Sequence, residues 1–247
     1  MKFTISLAGV PIAVESMYDE VYDLCADYRT DDVPAFTVRI DAADIRFERE
    51  KSLREAAVEG LPPVVYPAPY LETLAVYRKI AVAMTERGVL LLHGCAVCAD
   101  GRAYLFTAPS GTGKTTHARL WLENIPGAFV VNGDKPLLRL SGARCEVCGT
   151  PWAGKEGVNT NVIVPLDAIC FLSRGEKNEI EPASFREVMP LLLQQTYRPA
   201  RPDAMTRTLS LVRLLGERVR FYRLRCNMDG EAARVAFAAM SGRQECL

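Results

Sequence analysis

Between residues 103 and 122 an apolar run, Ala103-Tyr-Leu-Phe-Thr107, passes into a loop of small residues, Ala108-Pro-Ser-Gly-Thr-Gly-Lys-Thr115, and then into helical spacing over Lys114–Leu122. No other stretch narrows the choice of folds so far. A tight loop between a strand and a helix needs residues that tolerate positive φ, which Gly111 and Gly113 supply. Successive backbone N–H groups in such a loop converge on an anion, and the helix adds the positive end of its dipole. The spacing is that of the Walker A phosphate loop, with Ala108 at the position where glycine is usual. On this reading Ala108, Pro109, Ser110, Gly111, Thr112, Gly113, Lys114, Thr115 and Thr116 hold the phosphates of ATP. Lys114 reaches the β and γ oxygens, and the Thr115 hydroxyl ligates Mg²⁺.

A metal on such a loop needs an acid. Phe129-Val-Val-Asn-Gly-Asp134 reads as a buried strand with an aspartate at its carboxyl end, a short distance beyond the loop helix. Asp134 is expected to hold Mg²⁺ directly or through water; the plainer alternative is an aspartate that opens the turn before Pro136. His93, in Leu-Leu-His-Gly-Cys, closes an apolar strand, where a histidine is more often structural than functional. His117, on the loop helix, reads as structural.

Gly149-Thr-Pro-Trp-Ala-Gly-Lys-Glu-Gly157 has the make-up of a binding loop more than of a connector. Lys155 is a candidate to neutralise phosphate charge and Glu156 a candidate base or metal ligand; the two equally make a solvated pair. Arg174 and Arg198 are candidates for contact with the nucleotide or the transferred phosphate.

Composition excludes several classes. A chain of 247 residues with 49% apolar residues can bury a full core, and a net charge of +0 leaves no electrostatic footprint for nucleic acid or an anionic membrane. No apolar run approaches the roughly 20 residues of a membrane span. The amino-terminal Met1-Lys2-Phe3-Thr4 lacks the regions of a signal peptide, so a cytoplasmic location is expected. Two of the eight cysteines make Cys95-Ala-Val-Cys98 and two make Cys145-Glu-Val-Cys148. The first pair lies in a strand, where residues three apart point to opposite faces. Free thiols used as small apolar residues are therefore expected, not zinc or a disulfide.

Residues 3–14 read as strand, turn and strand; Tyr18–Tyr28 has helical spacing; Phe36–Ile45 reads as a strand. Glu48–Pro69, charged and then proline-rich, reads as a connection, followed by a helix over Tyr70–Glu86. Val89–Val97 and Ala103–Thr107 flank Ala99-Asp100-Gly101 as a hairpin. Strands at Ala128–Val131, Ile163–Leu172 and Arg220–Cys226 and helices at Ser184–Gln195, Met205–Leu215 and Gly230–Met240 complete the order. The expected fold is α/β with a mixed sheet, divided into a small α+β segment at 1–69 and a P-loop domain at 70–247.

Leu92-His93-Gly94, the hairpin with Gly101, Pro109–Thr115 and the strand ending at Asp134 resemble the kinase domain of HPr kinase/phosphorylase. More distantly they resemble the nucleotide-binding part of ATP-dependent phosphoenolpyruvate carboxykinase, as does Cys170-Phe-Leu-Ser with the helix running to Thr196. The resemblance spans roughly residues 88–200 and implies a mixed-sheet P-loop fold, a Mg²⁺–ATP complex and phosphoryl transfer to a hydroxyl. It implies functional roles for His93, Lys114, Thr115 and Asp134. The HPr enzymes carry two adjacent aspartates where this chain has Gly133 and Asp134, which leaves the base open to Asp134 or Glu156. The expected activity is an ATP-dependent kinase acting on a hydroxyl of a small molecule, peptide or protein. The alternative is an ATP-binding regulatory or accessory protein without phosphotransfer. A carboxykinase-type lyase is set aside, because its further metal-ligand segments are not found. The expected partners are the nucleotide and the hydroxyl acceptor, with no nucleic acid and no membrane, and a homo-oligomer is left open.

Overall fold

A computed structural model of the chain describes residues 1–58, 60 and 62–242, which divide into compact units at 1–83 and 84 onward. In the first unit β1 (Lys2–Leu7) and β2 (Val10–Glu15) form an antiparallel hairpin, followed by the short helix α1 (Glu20–Leu24) and a 3₁₀ turn at Ala26–Tyr28. The sequence led us to expect one helix over that whole stretch. Next, β3 (Phe36–Arg39) adds parallel to β2.

Helix α2 (Ala42–Val58) then occupies ground read from sequence partly as strand and partly as connection. Its start is capped: Asp41 Oδ1 accepts the Ala43 and Asp44 amides at 2.8 and 3.1 Å, and Asp44 Oδ2 accepts the Asp41 amide at 3.2 Å. The charges that suggested a connection are spaced as helical pairs, Glu50–Arg54 and Lys51–Glu55. Others meet helix α3 (Ala68–Met84), where Arg78 pairs with Asp44 and Glu48. Glu72 of α3 is buried and accepts the Tyr18 amide at 2.9 Å, so α3 packs with the first unit although the sequence suggested a boundary after residue 69.

The second unit opens with β4 (Val89–Leu91), then β5 (Cys95–Ala99) and β6 (Arg102–Thr107) as a hairpin, helix α4 (Lys114–Asn124) and β7 (Phe129–Asn132). A further hairpin, β8 (Leu137–Ser141) and β9 (Arg144–Cys148), was not anticipated; the cross-strand pair Arg139–Glu146 marks it. The long strand β10 (Ile163–Arg174) precedes β11 (Glu179–Ala183), also unanticipated, then helices α5 (Phe185–Gln195) and α6 (Pro202–Arg218), β12 (Arg220–Cys226) and α7 (Gly230–Ser241). Serine and glutamate at the head of α5 form the capping box Ser184/Glu187.

The strands join as one mixed sheet in the order β4-β8-β9-β10-β6-β5-β7, with β12 also on β10 and β11 on β12. Strand β10 pairs with β6 and with β12 in parallel, while β5 is antiparallel to both β6 and β7. The carboxyl ends of β6, β7, β10 and β12 therefore face one way, the edge at which α/β sheets place their sites. Each face of the sheet carries its own core. Leu105, Ile169 and Phe171 pack with Val188, Leu192 and Val212 of α5 and α6; Tyr104, Phe106 and Cys170 pack with Trp121 of α4 and Ala233 and Ala236 of α7. Cys98 belongs to the first core and Cys95 to the second, the opposite-face placement expected of residues three apart in a strand. Cys25, Cys95, Cys98, Cys145, Cys148 and Cys170 are buried free thiols, Cys226 is half-buried, and Cys246 lies outside the described residues. Among the described residues no helix is long and apolar enough to cross a membrane.

Candidate functional site

The loop Ala108–Gly113 leaves the carboxyl end of β6 and turns directly into α4. Gly113 sits at φ 122°, a region closed to residues with a Cβ, so the reversal into the helix requires glycine there. The first amides of α4 have no intrahelical acceptor and point into the loop; the ladder begins with His117 N donating to Gly113 O at 2.9 Å. Pro109, Ser110, Gly111 and Thr115 are exposed, Thr112 and Thr116 are half-buried, and Ala108 is buried. Thr112 Oγ1 donates to Pro109 O at 2.9 Å.

Lys114 is 8% exposed, and its ammonium donates to Ala108 O at 2.9 Å and Pro109 O at 3.4 Å. Burial lowers its pKa below the ordinary lysine value, against the pull of the Asp134 charge nearby. From the far side Arg174, at the end of β10, donates to Gly111 O at 2.6 Å and Thr112 O at 3.3 Å. The loop is thus gripped by two cations through its own carbonyls, and its Thr112 amide donates to Pro109 O at 3.4 Å.

Asp134 lies just past β7. Burial would raise its carboxyl, but the hydrogen bond from His93 and the charges of Lys135, His93 and Lys114 outweigh this, and it sits below the ordinary carboxylate range. His93 Nε2 is 3.3 Å from Asp134 Oδ1, and Lys135 Nζ is 3.5 Å from Oδ2. The apolar run read as one strand over 89–97 breaks at Leu92–Gly94, and that break is what releases His93 from the sheet to face Asp134. Three bonds hold it there: His93 N to Gln195 O at 2.8 Å, Gly94 N to Asp134 O at 2.8 Å, and Thr107 Oγ1 to His93 O at 2.8 Å. On the other side of the ring, Nδ1 is 2.8 Å from Gln195 Oε1. Gln195, the last residue of α5, carries no sequence signal, because only the sheet and α5 together bring it to the histidine.

Gly149–Gly157 lacks regular structure and folds over the end of β7. A Cβ on Gly133 would lie 3.0 Å from Ala153 O and 3.2 Å from Val158 O, so a side chain at 133 requires these carbonyls to give way by a few tenths of an ångström. Gly154 stands against the Asp134 side chain. Glu156 is exposed and held by Arg119 of α4 at 2.6 Å; Lys155 and Arg198 are exposed on their loops. His117 is buried, accepts the Trp121 indole N–H at 3.1 Å and packs on Phe106. The fold therefore gathers His93, Lys114, Asp134 and Arg174 at one sheet edge and leaves Lys155 and Arg198 at the surface.

No family model matches the chain, and no curated protein matches it. Among solved structures the chain is similar to the HPr(Ser) kinase/phosphatase from Coxiella burnetii, with 11% identity, 62% of this chain and 99% of that chain covered, and a TM-score of 0.36. The likeness is distant and concerns fold; what the site can do rests on its own geometry.

Proposed function

We propose that the chain is an ATP-dependent kinase with a mixed-sheet P-loop fold of the HPr kinase and phosphoenolpyruvate carboxykinase type, transferring the γ-phosphoryl group to a hydroxyl of a small molecule, peptide or protein. The observation that carries this reading is Lys114: a nearly buried ammonium held by two carbonyls of a glycine loop, within the field of the Asp134 carboxylate. A lysine kept dry and tethered only to main-chain acceptors is set to meet phosphate oxygens, which are stronger acceptors. The first turn of α4, whose amides lack intrahelical acceptors, suits the same anion.

The donors present fit Mg²⁺. Asp134 is held anionic, and Thr115 offers a hydroxyl at the exposed start of α4; Mg²⁺ takes few protein oxygens and fills its shell with phosphate and water. When bound, the ion supplies charge neutralisation on the phosphates. Asp134 orients the acceptor hydroxyl, and His93 restrains that carboxylate through Nε2. Arg174, already on the loop carbonyls, fixes the loop's shape and reaches its mouth. Glu156 remains a second carboxylate, tied to Arg119.

A second reading, an ATP-binding regulatory protein without phosphotransfer, is favoured by one observation. The carbonyls of Ala153 and Val158 crowd the position at which the HPr enzymes carry their additional aspartate. Both readings expect MgATP to stabilise the fold, by about 2.7 kcal/mol at 100 times its Kd. Lys114→Ala should remove most of that gain in a thermal-shift measurement, and an unchanged shift would place the nucleotide elsewhere. ADP formation with a panel of hydroxyl acceptors then separates kinase from switch: no transfer by a chain that binds MgATP tightly decides for the second reading.

A further inference from the structure

Behind Asp134 lies a buried polar pair on which its direction depends. Asn132, the last residue of β7, and Thr150, in the loop after β9, are both 0% exposed. Asn132 Oδ1 accepts the amides of Asp134 at 2.9 Å and Lys135 at 2.7 Å. Its Nδ2 donates to the Thr150 carbonyl and to the Thr150 hydroxyl, each at 2.9 Å. That hydroxyl donates onward to the Lys135 carbonyl at 3.0 Å. Together with Gly94 N on the Asp134 carbonyl, these bonds fix the main chain on both sides of Asp134.

A side-chain amide bonded at both ends in a dry interior cannot rotate without stranding a donor or an acceptor. The turn that carries Asp134 is therefore held in one conformation by a buried pair bonded on every side. We infer that Asn132 and Thr150 are positioning residues, which set the angle at which the Asp134 carboxylate meets the metal–nucleotide complex without touching it. The inference rests on reading this edge as a MgATP site. Partners that orient a metal-binding carboxylate in this way change metal affinity by about 10–100-fold when removed.

Thr150→Val tests it in the full-length chain, because valine keeps the volume and loses both hydroxyl bonds. Calorimetry would compare ATP binding in excess Mg²⁺ with ATP binding in EDTA. The variant should lose about 10–100-fold of the Mg²⁺-dependent gain and keep the affinity measured in EDTA, and Thr150→Ser should restore the gain. If Thr150→Val only melts earlier, with the Mg²⁺-dependent gain intact, the pair is structural and the inference falls. Thr150→Ala carries the same expectation should the valine variant be too unstable to purify. A wild-type chain whose ATP affinity ignores Mg²⁺ would overturn the MgATP reading itself, and that result is visible before any variant is made.

Discussion

On the proposed kinase reading Asp134 serves both metal and acceptor, and its surroundings suit that double task. Its carboxyl stays below the usual range despite burial, because His93, Lys135 and Lys114 all present positive or donating atoms. Asp134→Asn keeps an oxygen and loses the charge. Turnover should fall by about 10²–10⁴-fold, and the preference for ATP with Mg²⁺ should fall with it. Glu156→Gln should leave both near wild type, since that carboxylate is exposed and already engaged by Arg119. Measured rates of ADP formation equal to wild type in both variants would mean that neither carboxylate does the chemistry. His117 gives a separate pH signature. Burial pushes its imidazole down to about 4 from an ordinary 6.5. Between those values the unfolded chain binds a proton that the folded chain refuses, so stability falls as pH drops from 6.5 toward 4. The loss amounts to about 3 kcal/mol when complete. His117→Gln keeps an acceptor for Trp121 and removes the titration. Urea unfolding across that pH window should be flatter for the variant, and an equal slope in both proteins would show that the imidazole charges freely in the fold.

The loop over β7 decides what residue 133 can be. With Ala153 O and Val158 O so near, Gly133→Asp should not install a second working carboxylate. It should displace residues 153–158, lower stability by about 1–3 kcal/mol and weaken MgATP binding. A variant that melts at the wild-type temperature and turns over faster would show that the loop yields easily. This part of the site was only half legible beforehand. The glycine loop, α4 and the strand before Asp134 announce themselves through local spacing, since each needs only its own neighbours. The role of 149–157 as a cover on Gly133 depends on carbonyls brought from another segment, which no local pattern encodes. Helix α2 was missed for a different reason: it buries little beyond Ile45 and Glu48 and is held by ion pairs, so it lacks an apolar stripe. Its one clear signal is the cap at Asp41 and Asp44. The β8–β9 hairpin carries alternation on both sides of Gly142, but each strand is only five residues long, too short a run to stand out.

Across the chain, the mixed sheet was read correctly in kind, because strands alternate with helices after a hairpin, whereas its order could not be read from one sequence. That order has a price in time. Strand β10 finds β6 far behind it in the chain and β12 far ahead, and both pairings are parallel. Loop closure over such separations precedes the reward from the contacts, which makes this kind of pairing slow. On the ribosome the consequence is an order of events. A nascent chain that has passed Asp134 has made the glycine loop, the lysine and the acid, yet His93 still lacks the group that Gln195 places on its Nδ1. Until Arg220–Cys226 emerges, β10 also keeps one open edge. The glycine loop is thus translated early, and a product truncated before Gln195 would carry Lys114, His93 and Asp134 without the side chain that meets His93 Nδ1.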